Sequence, residues 1–352
     1  MPAIQFDHVF KQFPGSPRPA VNDCSLEVEA GMFVALLGPS GCGKTTLLKM
    51  VNRLYEPTGG HIYVGDVDVT RQKVTTLRRQ IGYVIQQTGL FPHLTVAQNI
   101  AVVPQLLKWP KGRIRDRVDE LLTLIGLPPE EYRNRYPAQM SGGQQQRVGL
   151  ARALAVDPDL MLMDEPFSAV DAITRTGLQD EMIRLQQHLK KTILFVTHDV
   201  EEALRLGDQI VVMREGQIVQ HGTPLSVLTQ PADAFVHNLL GTDDIVRRLG
   251  LIRVEEVMTG AVARPISLTS LTDGTPTTEA PAMIARHEYL RHALSLLLGN
   301  GGTTLTVTDG PNMVGTLTLD QIRRAARLGQ PQGKPEGQSG VNADVRSASV
   351  HP

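Results

Sequence analysis

The chain has 352 residues, 41% of them hydrophobic and 20% charged, with a net charge of −1; that length exceeds what one hydrophobic core usually spans, so two domains are expected. Near-neutral charge argues against a nucleic-acid partner, which calls for a basic stripe, and the longest apolar runs, such as Met32 to Leu37, fall well short of the ~20 residues that cross a bilayer. Cys24 and Cys42 are the only cysteines, which excludes a disulfide framework and suits a reducing cytoplasm; Asp7, His8 and Lys11 interrupt any apolar core of a secretory signal.

Phe33 to Leu37 reads as a short, fully apolar strand running into Gly38, and after Thr46 the apolar residues Leu47, Leu48, Met50, Val51 and Leu54 follow helical spacing. Between strand and helix, Gly38, Pro39, Ser40, Gly41, Cys42, Gly43, Lys44 and Thr45 fit the pattern G-x-x-x-x-G-K-[ST]. The glycines let backbone N–H groups turn onto phosphates, at a helix end whose dipole also favours negative charge. Lys44 is placed to neutralise the β and γ phosphates of ATP, and Thr45 to put its hydroxyl on Mg²⁺. Upstream, Phe13 has two readings, an aromatic that stacks on adenine or a core residue.

Gln86 follows the strand-like run Ile81 to Ile85. From there it could reach the metal and the attacking water, or serve structure alone. Between about 95 and 155 the pattern turns helical: Ile114, Val118, Leu121, Leu122 and Ile125 form one stripe, stopped by Gly126 and Pro128-Pro129. Within this insert, Ser141 can cap a helix that begins at Gln144, after Gly142 and Gly143, with Val148, Ala151 and Ala155 on one face. A Gly-rich helix start is also an anion site. A subunit that already owns a phosphate loop has no obvious use for a second one, so this turn is expected to complete a neighbouring subunit's site.

Leu160 to Met163 is a second buried strand, tipped by Asp164 and Glu165. Asp164 suits Mg²⁺, held through water, and Glu165 suits the general base that polarises the attacking water. Ile193 to Val196 is a third, followed by His198, which could hydrogen-bond the γ-phosphate or be structural. Uninterrupted apolar strands alternating with helices predict an α/β fold with a largely parallel sheet covered on both faces, and ligands of such sheets sit at the carboxyl ends of the strands. Near 211–219 a hairpin is expected to turn at Glu215-Gly216. After about 240 the character changes: a Pro/Thr-rich stretch at Thr272 to Pro281, a helix at His287 to Leu298, then strands at Thr303 to Val307 and Met313 to Leu317 around Asp309-Gly310. Residues 330–352 read as a disordered tail.

Taken together, the run 38–45, Gln86, Ser141 to Arg147, Leu160 to Pro166, Ser168 to Asp171 and His198 resemble the ATP-binding subunit of an ABC transporter over about 1–240. The resemblance implies a P-loop NTPase cassette working as a head-to-tail homodimer, with each of two ATPs held by one phosphate loop (38–46, including Thr46) and the opposite turn at Ser141 to Gln144. It maps Phe13 to the adenine-stacking aromatic, Gln86 to the lid glutamine and Asp171 to the loop that crosses the dimer interface. Met140 and Val170 stand where the family commonly has Leu. The segment Ile81 to Val96, with Phe235 to Gly241 and Val254 to Thr259, is similar to importers of glycine betaine, carnitine or choline. Residues 241–329 resemble one CBS module, where such importers usually carry two, so that regulatory sensing and plain dimerisation stay open. The resemblance further implies integral membrane permease subunits, an extracytoplasmic substrate-binding protein and a peripheral place on the inner, cytoplasmic face of the membrane. An importer ATPase for another solute, or a soluble ABC-type ATPase of DNA repair or translation, are the competing readings.

Overall fold

A computed structural model describes residues 2–86, 89–168, 170–265 and 282–327. In chain order it runs β1 (Pro2–Lys11), β2 (Val21–Glu29), β3 (Phe33–Leu37), α1 (Lys44–Val51), β4 (Gly59–Val64), β5 (Val67–Asp68), α2 (Val74–Gln80) and β6 (Ile81–Val84). Four helices follow: α3 (Val96–Leu106), α4 (Lys111–Leu124), α5 (Pro129–Tyr132) and α6 (Gly142–Leu154). The chain returns through β7 (Leu160–Asp164), α7 (Ala172–Leu189), β8 (Thr192–Thr197), α8 (Val200–Leu206), β9 (Gln209–Arg214) and β10 (Gln217–Gly222). It continues with α9 (Pro224–Thr229), α10 (Ala234–Leu240), α11 (Ile245–Leu249), β11 (Thr259–Pro265), β12 (Met283–Ala285), α12 (Leu290–Asn300), β13 (Thr304–Asp309), β14 (Asn312–Thr318) and α13 (Leu319–Ala326).

The central sheet has the order β10-β9-β3-β8-β7-β6. Its strands β9, β3, β8, β7 and β6 are parallel, and only β10 is antiparallel. Every residue of β3, β7 and β8 is buried, because successive side chains go to opposite faces and both faces are covered. Phe33, Ala35, Leu37, Met161, Met163, Ile193 and Phe195 join a core shared with α3, α4, α6 and α7. The intervening Val34, Leu36, Leu160, Leu162, Leu194 and Val196 join a second core with α1 and β1, β2 and β4.

That second cover is a four-stranded antiparallel sheet, β2-β1-β4-β5, which the sequence reading did not foresee. Its signal is period-two burial of Cys24, Leu26 and Val28 on β2 and of Ile4 and Phe6 on β1, with Val21 and Val9 each set off by three residues. The β1 alternation skips a beat at a register shift between Phe6 and Val9, where His8 takes φ 47°, and such a bulge hides a strand from pattern reading. The hairpin lies where expected: Glu215 (φ 49°) and Gly216 (φ 83°) turn β9 into β10, both left-handed as a two-residue hairpin turn favours.

Between Thr95, which caps α3 through a capping box with Gln98, and the end of α6, the chain holds helices and no strand among the described residues. After 240, a third core of Leu249, Ile252, Val254, Ile284, Leu290, Leu297, Leu305, Val307, Leu317 and Ile322 backs the sheet β11-β14-β13-β12. The expected strands appear as β13 and β14. The helix expected from His287 begins at Leu290 instead, because Tyr289 is extended and bridges Arg253, while Leu290 N–H donates to Ile252 O at 2.9 Å. The Pro/Thr-rich stretch and the tail from 330 lie outside the described residues. No described helix is long and apolar enough to cross a membrane.

Candidate active site

Four neighbouring parallel strands, β3, β8, β7 and β6, end at one place, and each delivers a polar residue there. After β3 the chain turns at Gly38 (φ 156°), where an added Cβ would lie 2.3 Å from Met213 O and 2.8 Å from Cys42 Sγ. At Gly43 (φ 107°) a Cβ would lie 2.3 Å from Ala20 O. Neither position accepts a side chain. The loop thus passes close under the β9–β10 hairpin and enters α1, which no side chain caps, leaving first-turn N–H groups for an anion. Lys44 is buried, and its ammonium folds back to donate to Gly38 O (2.7 Å) and Pro39 O (2.9 Å).

Thr45, at the start of α1, donates through Oγ1 to Asp164 Oδ1 at 2.8 Å, and Lys49 Nζ lies 3.9 Å from Asp164 Oδ2. Burial pushes the Asp164 carboxyl above its ordinary value, against the downward pull of Thr45 and Lys49. Lys49 was not singled out from sequence, although its place four residues after Thr45 on a helix put it on the same face.

Glu165 takes φ 45°, a left-handed conformation rare for such a side chain. Its N–H donates to Val196 O (3.0 Å), while its own carbonyl accepts from Ser168 Oγ (2.9 Å). This bend turns the carboxylate toward its neighbours. Oε2 accepts from Gln86 Nε2 at 3.1 Å and lies 3.2 Å from His198 Nδ1. The residues read as Mg²⁺, base and phosphate groups therefore sit in two adjoining groups, the pair Thr45–Asp164 and the trio Gln86–Glu165–His198.

Other expected residues lie apart from this cluster. Phe13, just past β1, belongs to none of the buried cores. Its ring meets Tyr55 edge-on at 5.2 Å, and Lys11 Nζ lies 5.1 Å from its centroid, held by Glu56 O. Tyr55, like Lys49, went unnoticed in the sequence. Ser141 caps α6 in a capping box: its Oγ accepts from Gln144 N–H (3.3 Å), and Gln144 Oε1 accepts from Ser141 N–H (3.0 Å). Gly143 packs against α7, where an added Cβ would meet Thr174 Cγ2 at 2.5 Å. Asp171 caps α7, accepting from Thr174 N–H at 3.1 Å. Among the described residues no hydrogen bond joins Phe13, Ser141 or Gln144 to the strand-end cluster.

The chain is similar to known proteins in sequence and in fold. The sequence pattern of the family described as ABC transporter matches residues 21–168. The carnitine transport ATP-binding protein OpuCA of Listeria monocytogenes is 44% identical over 321 residues, covering 91% of this chain and 76% of that protein. The glycine betaine uptake system ATP-binding protein YehX of Escherichia coli is 48% identical over 306 residues, covering 87% and 94%. Among solved structures, the dimeric post-hydrolysis state of the ATP-binding cassette MJ0796 bound to ADP and Pi is similar, with TM-score 0.57 and 32% identity over 63% of this chain and 98% of that one. With strand ends that gather a phosphate loop, two carboxylates, a glutamine and a histidine, and with relatives this similar along most of its length, the chain belongs to the ATP-binding subunits of ABC transporters.

Proposed function

We propose that this chain is the ATPase that powers import of a small quaternary-ammonium osmoprotectant (glycine betaine, carnitine or choline) through separate membrane permease subunits. The observation that carries the reading is the Gln86–Glu165–His198 grouping beside Thr45–Asp164, in a chain whose relatives are named for carnitine and glycine betaine transport. A binding protein outside the membrane would collect the solute, and this chain would sit peripherally on the inner face. Residues 1–240 would form the cassette, with a helical subdomain at about 95–155. Residues 241–329 would regulate or dimerise it.

In this reading ATP is held by the loop 38–46, with Phe13 against adenine and Lys44 leaving its loop carbonyls for the β and γ phosphates. A Mg²⁺ ion fits the donors present. The Thr45 hydroxyl and the Asp164 carboxylate are hard oxygen ligands, and no group of three His, Cys, Asp or Glu among the described residues forms a protein cage; Mg²⁺ usually takes one or two protein oxygens besides phosphates and water. When bound, the ion would neutralise charge on the phosphates. Glu165 accepts the proton of the attacking water, and its direction is held by Gln86 and His198. Two copies close head to tail, so that Ser141 to Gln144 of each completes the other's site and Asp171 lies at the crossing. Closure excludes bulk water while keeping the attacking one, and moves the permease through the surface around 86–110, where Phe91 is exposed.

The test is reconstitution with its permease in vesicles. Glycine betaine, carnitine or choline, delivered by the binding protein, should accelerate ATP hydrolysis and enter the vesicle. Acceleration by sulfate, a polyamine or a sugar instead would overturn the solute assignment.

A further inference from the structure

We propose that Arg175 is a positioning residue that couples the interface loop at 168–171 to His198 within one chain. The proposal rests on the roles given above to Asp171 and His198. Asp171 starts α7, and one turn on, Arg175 N–H donates to Asp171 O at 2.8 Å. The guanidinium then forks. Nη2 donates to Val170 O at 3.1 Å, in the loop itself, and Nη1 lies 3.6 Å from Asp199 Oδ2.

Asp199 immediately follows His198, and its remaining bonds fix the backbone there. Oδ1 caps α8 by accepting from Glu201 N–H (2.8 Å) and Glu202 N–H (3.3 Å), while Asp199 N–H donates to Thr197 Oγ1 (3.0 Å). Thr197 Oγ1 in turn donates to Glu202 Oε2 at 2.7 Å, and Glu202 Oε1 accepts from Gln179 Nε2 of α7 at 3.4 Å. Both neighbours of His198 are thus tied to α7, whereas the imidazole itself is half exposed and lies against Glu165.

Arg175 joins the Val170 carbonyl of the interface loop to Asp199, the residue that follows His198. The Arg175 Nε is buried without a hydrogen-bond partner, which is a stability cost, while its two Nη groups reach the Val170 carbonyl and the Asp199 carboxylate. A guanidinium can hold a carbonyl and a carboxylate at once in a fixed fork; a lysine ammonium is a single point on a flexible stem. A shift of the Val170 carbonyl as the loop meets a second copy therefore pulls on Asp199, and with it on the backbone that sets the imidazole's distance from Glu165.

The test is a double-mutant cycle on the full chain with Arg175→Gln and Asp199→Asn; asparagine keeps the cap of α8 and removes the ion pair. Each single change should lower kcat by about three- to thirtyfold, with KM for ATP and the thermal midpoint little changed. The double variant should be no slower than the slower single. Arg175→Lys should not restore kcat, and it carries the same test if the glutamine variant fails to fold. In a Glu165→Gln background, Arg175→Gln should still form the ATP-bound dimer, because the lost coupling acts after closure. Unchanged kcat, losses that multiply in the double variant, or full rescue by lysine would overturn the proposal. Glu165→Gln alone separates the two levels: turnover surviving in that variant sinks the catalytic reading itself, whereas its loss beside an active Arg175→Gln sinks only the coupling.

Discussion

The two sheets on either side of residue 240 use their polar side chains in opposite ways. In the six-stranded sheet, polar groups collect at the strand ends and bond to each other: Thr45 to Asp164, and Gln86 and His198 to Glu165. Several are held in unfavourable states, with Asp164 and Lys44 buried and Glu165 at φ 45°. Among the described residues after Arg248, none with a polar or charged side chain is buried. Polar groups there close caps and surface ion pairs, such as Gln321 with Thr318 and Arg286 with Glu255 and Asp309. Strain and buried charge persist where the surroundings over-determine them and chemistry uses them. Among the described residues of the second sheet, no buried charge or left-handed non-glycine residue of that kind is found.

The sharpest way to break this contrast is Glu165→Gln. The amide cannot take the water's proton, so turnover should fall by roughly 10²–10⁴-fold while ATP binding is retained; single-turnover phosphate release and nucleotide titration measure the two. Near-normal hydrolysis would leave the strained carboxylate without the role of base. Ser141→Arg comes next. An unpaired charge forced into a closing interface costs about 3–5 kcal/mol, so ATP-driven dimerisation and turnover should collapse, while a single copy still binds ATP as before. If monomer binding fails too, the turn serves its own subunit.

How far the sequence announced all this differs by residue. β3, β7 and β8 were legible because a doubly covered strand is a continuous apolar run, and Asp164, Glu165 and His198 were legible as the residues that end those runs. Ser141 was legible as a helix cap, but its reciprocal bond with Gln144 was not. The sheet β2-β1-β4-β5 was not legible, because the bulge at His8 breaks its alternation. Lys49 beside Asp164, Tyr55 beside Phe13 and Arg175 between Val170 and Asp199 were hidden for another reason. Tyr55 lies far along the chain from Phe13, as does Asp199 from Arg175, and only the folded chain brings them together.

A third change probes the seam between the two sheets. Arg248 is buried and donates to Ala326 O and to Thr242 O, each at 2.7 Å, tying the end of α13 to the segment that precedes α11. Arg248→Ala leaves both carbonyls without this donor and should loosen the third core by about 2–4 kcal/mol, visible as faster amide exchange in β13 and β14. Turnover of ATP should stay within about twofold, since no interaction made in the transition state is removed. A fall in turnover that tracks the exchange would mean that the two regions act as one.

The smallest effect belongs to Glu202, a buried carboxylate on the cassette side that bonds Thr197 and Gln179. Burial raises its carboxyl above the ordinary value, and the Thr197 hydroxyl pulls it only partly back. The folded chain therefore holds this proton more tightly than the unfolded chain does. Its contribution to stability is complete below the unfolded carboxyl's range, ~4.3 for glutamate, and is lost as pH rises through the higher folded value. Glu202→Gln removes that titration, so the variant's thermal midpoint should fall less steeply than wild type as pH rises from about 4. At neutral pH it should lie level with wild type or slightly above it, because a neutral amide still accepts one of the two bonds without a buried charge. Parallel midpoint curves for the two proteins across that range would mean that Glu202 titrates alike folded and unfolded. The tension assigned to the cassette's buried carboxylates would then be confined to Asp164 and its immediate partners.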